Sequence, residues 1–163
     1  MNRDVLALCA AAALAMPITA LAEPLVLSPN GYGLFRLGMR AEGSGTWLEG
    51  KPTPGCYGGY SREHAGIHLV FEHDRLTRIA VRGVQGIETA RGVHIGSTED
   101  DLTDAYGSQL IVTASASFPP PGKTLTVWFH HREQGIRFDT DTSGRVVSMI
   151  AGTPSVMRGA GCP

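Results

Sequence analysis

Apolar side chains recur at helical spacing in one segment of the second half of the chain. Leu102, Ala105 and Tyr106 fall at positions i, i+3 and i+4, which places them on one face of a helix. The preceding run, 97–100, supplies a hydroxyl cap and acidic residues, which satisfy open N–H groups and complement the helix dipole. Gly107 follows where a left-handed residue ends many helices. The sequence therefore predicts a helix of roughly three turns before Gly107.

Beyond this helix the pattern changes to the two-residue alternation of strands. Leu125, Val127 and Phe129 alternate with a second set of side chains that includes Trp128 and His130, as in a half-buried strand. Further strands are predicted at 109–114, 136–138 and 146–150, with a proline-rich loop at 117–122 and a turn at 141–144. The unit is therefore predicted as a strand, a helix and a four-stranded meander.

The first half of the chain repeats this order of elements. The segments 34–39 and 66–81 resemble 92–97 and 135–150, at a shift of about 58 to 70 residues. A repeat this long indicates two related units, about 25–84 and 87–152, that share one sheet.

The fold class predicted from this repeat is α+β. Two related helix-plus-antiparallel-meander units share one sheet, with helices packed on one face. The helix position of the first unit, 39–51, contains three glycines, each of which costs a helix about 1 kcal/mol relative to Ala. A short helix or an irregular loop is expected there. Residues 23–163 are expected to form one domain with a disulfide-tied C-terminus.

The segment Gly92 to Gly107 resembles the repeat unit of β-lactamase-inhibitor-protein-like domains. It has a strand, Gly-Ser-Thr at the helix start and a helix ending in Ala-Tyr-Gly. The segment is also similar to the related outer-membrane-assembly lipoprotein domain. Gly33 to Met39 and the Gly161-Cys162 pair resemble segments of exported bacterial proteins with the same plan. The resemblance implies a duplicated, exported protein-binding domain, and no inhibitory residue carries over to this chain.

The N-terminus has the features of a secretory signal peptide. A short apolar run, 5–15, precedes Ala20-Leu21-Ala22, which predicts cleavage after Ala22 and a signal peptide over 1–22. The alternative, a membrane anchor, would need about 20 apolar residues, so no membrane span is expected after cleavage. A periplasmic or secreted protein is predicted. The net charge of −1, with no basic block, excludes nucleic acid as an expected partner.

Two cysteines remain once the leader is removed. Cys56 and Cys162 form an even pair in an exported chain, which predicts a disulfide. The alternative is two reduced thiols, which an oxidising compartment disfavours.

No complete catalytic or metal-binding constellation is evident, and no cofactor or metal is predicted. His130 and His131 are neighbours, so on a strand they would point to opposite faces. Asp139 and Asp141 resemble the opening of a calcium loop, but the twelfth position of such a loop is Ile150 and not a carboxylate. A turn explains the segment better. The serines lack a Gly-x-Ser-x-Gly context, so a non-enzymatic protein is expected, with a hydrolase as the third hypothesis.

Aromatic residues supply the candidate binding surface. Exposed aromatics on a sheet or loop are typical of protein or sugar contacts. The candidate surface contains Trp47, Tyr57, Tyr60, Trp128 and His130. For Trp128 the alternative is burial under the helices, which reverses the phase of its strand. The first hypothesis is a module that binds another exported or envelope protein, and the alternative is a glycan or cell-wall binding module.

Overall fold

In a computed structural model of the protein, the described residues are 26–42, 46–115 and 117–162, with the backbone alone over 46–53. The predicted signal peptide, 1–22, and its cleavage site lie outside these residues. The described part forms twelve strands and one α-helix. The strands are β1 Val26–Leu27, β2 Gly31–Tyr32, β3 Phe35–Arg36, β4 Thr46–Thr53, β5 Cys56–Ser61, β6 Ile67–Glu72, β7 Arg75–Arg82, β8 Glu88–Thr89, β9 Ile111–Ala114, β10 Lys123–Phe129, β11 Gln134–Thr140 and β12 Val146–Gly152. The α-helix, α1, spans Glu99–Tyr106.

Eight of these strands form one antiparallel sheet, in the order β4-β5-β6-β7-β12-β11-β10-β9. Each half of the sheet is a four-stranded meander, and the two meanders meet where β7 pairs with β12. The short pairs β1–β8, which is parallel, and β2–β3 lie outside it. The four strands predicted after the helix are present as β9 to β12, whereas the short strand predicted before it is only an isolated bridge at His94. Strands β4 and β9 are the two edges of the sheet.

The predicted fold class is wrong, because this protein is mostly β and its described part has a single short α-helix. Two helix-plus-meander units with helices on one face are therefore not formed. In the first half, residues 46–51 of the expected helix position belong instead to strand β4, which pairs with β5. Glycines at 43, 45 and 50 disfavour a helix, while pairing with β5 satisfies the backbone of this segment in extended form.

Helix α1 confirms the position predicted in the second half, but its eight residues make about two turns instead of three. Thr98 caps it, because its hydroxyl accepts the backbone N–H of Asp101 while the Asp101 carboxylate accepts the backbone N–H of Thr98. Those bonds also lower the pKa of the Asp101 carboxyl. Leu102 and Tyr106 are buried against the sheet, and Gly107 ends the helix with a positive φ of 53°.

The face of the sheet that α1 covers, here called the core face, carries the main hydrophobic core. Sheet residues such as Leu69, Ile79 and Phe138 are fully buried there. The N-terminal segment adds Leu27, and α1 adds Tyr106, whose ring lies 5.6 Å from that of Phe138. Burial of this large apolar surface is the main stabilising contribution to the fold.

The opposite face of the sheet, here called the second face, is covered by the C-terminus. A segment from Thr153 to Cys162, here called the strap, contains a short 3₁₀ helix, Pro154–Arg158. Val156 and Ala160 of the strap form a small buried cluster with Ala80 and Ile150 of the sheet. The strap ends at the Cys56–Cys162 disulfide, with Cα atoms 5.8 Å apart, which confirms the predicted bridge.

Candidate functional site

The pairing of the strands determines which side chains share the second face. In one row across the sheet, Tyr60 pairs with His68, which pairs with Ala80, and Ala80 pairs with Ile150. The next row along the strands contains Arg82, which pairs with Ser148. Because alternate residues of a strand face one side, these residues are brought together from distant parts of the sequence.

A buried arginine fixes the strap to the middle of the sheet. Arg78 has no exposed side-chain surface, and its Nη1 donates to the carbonyl oxygens of Ser155 at 3.1 Å and Gly159 at 3.0 Å. Its Nη2 donates to Glu72 Oε1 at 3.0 Å. Desolvation lowers the pKa of the Arg78 guanidinium, and the charge of Glu72 opposes that effect. Arg78 therefore satisfies strap carbonyls that would otherwise be buried without a donor.

A second buried arginine holds the strap nearer the other half of the sheet. Arg137 Nη1 donates to the carbonyl of Met157 at 3.0 Å, and its Nε donates to Asp139 Oδ1 at 2.8 Å. Thr124 Oγ1 also donates to Asp139 Oδ1, at 2.7 Å. Charge-assisted bonds of this kind are stronger than neutral ones, so the two arginines and the disulfide together set the position of the strap.

A groove opens where the strap ends, beside β5, β6 and β7. It encloses about 390 Å³ and is here called the Tyr60 groove. Its lining residues are Tyr60, Gly66, His68, Arg82, Ala160 and Gly161. The sheet supplies the ring and charged side chains, and the strap supplies a wall of small residues next to the disulfide. The shape of the groove therefore depends on where the strap is fastened.

Tyr60 and His68 form the aromatic side of the groove. Their ring centroids lie 5.0 Å apart at an interplanar angle of 62°, and Tyr60 is 47% exposed. The absence of a side chain at Gly58 lets the imidazole of His68 pack against β5, because a Cβ at that position would lie only 2.8 Å from His68 Nε2. A glycine in β5 is thus needed for the ring of His68 to occupy its place.

Arg82 supplies the positive charge of the groove. Its Nε donates to Ser148 Oγ at 3.3 Å, which anchors the guanidinium on the sheet while the residue remains exposed. A guanidinium has five N–H donors, so this bond occupies one of them. An exposed guanidinium beside two aromatic rings can bind a carboxylate and, at the same time, an adjoining apolar or planar group.

The predicted aromatic surface is divided among different parts of the molecule. Tyr60 lines the groove, and the backbone of Trp47 pairs with Tyr60, although the Trp47 side chain lies outside the described residues. Tyr57 lies on the core-face side, where its ring stacks on Phe71 at 5.2 Å. Its hydroxyl donates to Asp74 Oδ1 at 2.8 Å, and desolvation and this bond raise the pKa of Tyr57 to about 12.

Trp128 and His130 are not among the residues that line the groove. Trp128 lies on the second face, half-buried against the cluster of Ile150 and Val156, so it is not under α1. Its ring covers Gly135, where a Cβ would approach Trp128 Cε3 to 2.9 Å. His130 is exposed in the tight connection between β10 and β11, with a φ of 46°. The predicted residues whose side chains are described, Tyr57, Tyr60, Trp128 and His130, thus do not form one surface.

His68 and Arg82 line the site but are absent from the sequence prediction. Both occupy alternate positions of strands whose existence the pattern indicates, but their neighbours depend on which strands pair and in what register. The signal available in the sequence was the position of His68 between the apolar residues Ile67 and Leu69 of β6, and of Arg82 directly after the apolar residues of β7.

A cleft beside α1 contains the most enzyme-like group in the described part of the chain. His94 Nδ1 lies 3.3 Å from Ser97 Oγ and 3.0 Å from the carbonyl oxygen of Gly92. Ser97 is buried, and its hydroxyl accepts the backbone N–H of His94 at 3.1 Å. These bonds close the loop that precedes the helix, and they do not place an exposed nucleophile against a base.

The segment considered as a calcium loop is a hairpin turn. Asp141 Oδ1 accepts the backbone N–H groups of Ser143 at 2.8 Å and Arg145 at 3.1 Å. Bonds from Ser143 and Arg145 lower the pKa of Asp141, while Asp139 is buried beside Arg137 on the second face. Within the described ranges, no three His, Cys, Asp or Glu side chains are grouped so as to hold a metal ion.

Comparisons with known proteins give few similarities. No protein family model matches the sequence, and no curated protein matches it. A crystal structure of an extracellular protein containing an SCP domain from Bacillus anthracis str. Ames matches with a TM-score of 0.45 and 12% identity. The match covers 75% of this chain and 46% of that one, so the chain spans less than half of that protein.

The disulfide is typical of a protein that folds in an oxidising compartment outside the cytoplasm. No helix in the described residues combines the length and the apolar composition needed to cross a bilayer.

Proposed function

We propose that the mature chain is an exported, non-enzymatic module that binds an acidic segment of another exported or envelope protein in the Tyr60 groove. The observation that carries this proposal is Arg82, an exposed guanidinium beside the rings of Tyr60 and His68 in a groove with a backbone wall. Periplasm and external medium are both compatible with it.

The chemistry of the groove supports binding over catalysis. Its six described lining residues include no carboxylate, no cysteine and no serine, so the imidazole of His68 has neither a carboxylate to orient it nor a serine or thiol nucleophile beside it in this lining. Tyr60 supplies rigid amphipathic contact area, and Arg82 supplies planar hydrogen-bond donors, a combination enriched at protein interfaces. The resemblance to β-lactamase-inhibitor-like and outer-membrane-assembly domains remains a prediction, and the proposal does not rest on it.

The test compares two peptide pools on the disulfide-bonded mature protein. The pools are matched except that Asp and Glu in one are Asn and Gln in the other, and binding is read by fluorescence anisotropy. The acidic pool should bind more tightly, and added salt should weaken that binding because the charges are near the surface.

Arg82→Met should reduce the affinity by about 10- to 100-fold, since a hydrogen bond to a charged group contributes ~1.5–3 kcal/mol. Arg132→Met is the matched control, because Arg132 is an exposed cation in the β10–β11 connection and should leave binding unchanged. Equal binding of both pools, or binding that Arg82→Met does not weaken, would contradict the proposal.

A glycan ligand is the competing outcome of the same experiment. Neutral cell-wall oligosaccharides should not compete with the acidic peptides if the partner is a protein. Tight oligosaccharide binding that Tyr60→Ala abolishes and Arg82→Met leaves intact would instead assign the groove to a sugar, which stacks on aromatic faces.

A further inference from the structure

The two edges of the eight-stranded sheet differ in the residues that natural proteins use to prevent strand pairing. Charges, prolines and irregular register protect edge strands from other chains. The β4 edge contains Glu49, Lys51 and Pro52, and its pairing with β5 is irregular between Glu49 and Thr53. The β4 edge is therefore protected.

The β9 edge has none of these features. All four residues of β9 are exposed, including Ile111 at 39% and Val112 at 53%. The sequence contains no charged residue from Ala105 to Gly122. The register of β9 with β10 is regular over its whole length. Exposed apolar side chains on an uncharged, regular edge are the features that favour addition of a strand.

The hydrogen-bond pattern shows which backbone groups of β9 point outward. The backbone N–H of Ser115 donates to the carbonyl oxygen of Gly122 at 3.3 Å. The backbone polar groups of Ser115 therefore point toward the neighbouring strand, β10. In an antiparallel pair, the backbone N–H and C=O groups of successive residues point alternately toward and away from the neighbouring strand. Those of Thr113 therefore also point toward β10, and those of Val112 and Ala114 point away from it. Among the described strands, β9 pairs only with β10.

We propose that β9 pairs with β9 of a second copy of this chain, antiparallel about a two-fold axis at Thr113. In this register Val112 of one copy lies opposite Ala114 of the other, so the outward donors and acceptors of each match those of its partner. Thr113 lies opposite Thr113, a cross-strand pair that stabilises sheets. Because the strand is uncharged, two identical copies can approach without like-charge repulsion.

The first test is the oligomeric state of the mature protein. In analytical ultracentrifugation the mass should rise reversibly from one chain to two with concentration, because a four-residue strand makes a small interface. Val112→Lys and Ala114→Pro should each restore a monomer at every concentration. The fold should persist, since Val112 is exposed and the Ala114 N–H is directed outward, a position where an edge strand tolerates proline.

A cysteine pair tests the register. Thr113→Cys should form a disulfide-linked dimer under oxidation, because a non-hydrogen-bonded pair has its Cα atoms about 4.5 Å apart, within disulfide range. Ser108→Cys, exposed in the turn before β9, should not crosslink. A chain that is monomeric at millimolar concentration, or a dimer that survives both Val112→Lys and Ala114→Pro, would overturn the proposal.

Discussion

The two faces of the sheet are organised by different interactions. The core face is closed by apolar contacts among sheet, N-terminal segment and α1, in a cluster that includes Leu69, Phe138 and Leu102. The second face has a smaller described cluster of Ala80, Ile150, Val156 and Ala160, and polar bonds from Arg78 and Arg137 and a disulfide hold the strap on it. Because the strap is narrow, it covers only part of the second face. The Tyr60 groove lies on the uncovered part beside the end of the strap.

The comparison predicts that single substitutions on the core face have the largest effect on stability. Phe138→Ala should lower the free energy of unfolding by about 3–5 kcal/mol, because Phe138 is fully buried and a cavity would remain. Urea unfolding measures the change. Thr142→Ala, exposed in the β11–β12 turn, should change it by less than about 0.5 kcal/mol. A loss near 1 kcal/mol for Phe138→Ala would mean that this face is loosely packed.

Removing the disulfide should have the next largest effect and should involve both stability and binding. The double variant Cys56→Ser and Cys162→Ser opens a loop with a sequence separation of 106 residues. It should be about 2–4 kcal/mol less stable, because the unfolded chain gains entropy.

The double variant should also bind acidic peptides more weakly at temperatures where it remains folded. Ala160 and Gly161, next to Cys162, form the wall of the groove. Without the disulfide, these two residues are no longer tied to β5. Unchanged peptide affinity in a destabilised but folded variant would show that the position of the strap does not determine binding in the groove.

Arg78→Met should cost about 2 kcal/mol, measured by urea unfolding, because the strap carbonyls of Ser155 and Gly159 lose a charged donor. Arg145→Met is the control. Arg145 is exposed and donates to a single carbonyl, that of Gly96, so its loss should cost less than about 0.5 kcal/mol. Equal effects of the two variants would show that burial adds nothing to the role of Arg78.

The smallest expected effect is that of Tyr57→Phe on the pH dependence of stability. Its folded-state pKa of about 12 lies above the ordinary value of 10.0, so the folded state holds the phenolic proton more tightly. The resulting stabilisation is fully present below pH 10 and is lost as the pH rises toward 12. Tyr57→Phe should flatten this part of the stability profile. An ultraviolet titration in which every tyrosine ionises near pH 10 would contradict the Tyr57–Asp74 contact.

Local signals in the sequence predicted the parts of the fold that depend on local interactions. The cap at Thr98, the apolar spacing of Leu102 and Tyr106 and the stop at Gly107 all act within a few residues, and α1 forms where they indicate. The disulfide was predicted from the two cysteines that lie outside the predicted signal peptide. The first-half helix was not formed because pairing of β4 with β5 overrode a pattern already weakened by glycines.

The groove could not be predicted because it depends on contacts between distant segments. Tyr60 was identified from its type alone, whereas His68 and Arg82 became its neighbours only through the register of β5, β6 and β7. The strap has no hydrophobic periodicity of its own. Its position is set by Arg78, which precedes its bonded strap residue Ser155 by 77 positions.

The most direct test of the account is to map an acidic peptide onto the disulfide-bonded mature protein by NMR of backbone amides. Binding in the Tyr60 groove should give concentration-dependent shifts at Tyr60, His68, Arg82 and the strap residues Ala160 and Gly161, with the amides around α1 unchanged. Shifts confined to α1 and the neighbouring loop 91–97, or no shifts at saturating peptide, would contradict the assignment of the second face as the binding face.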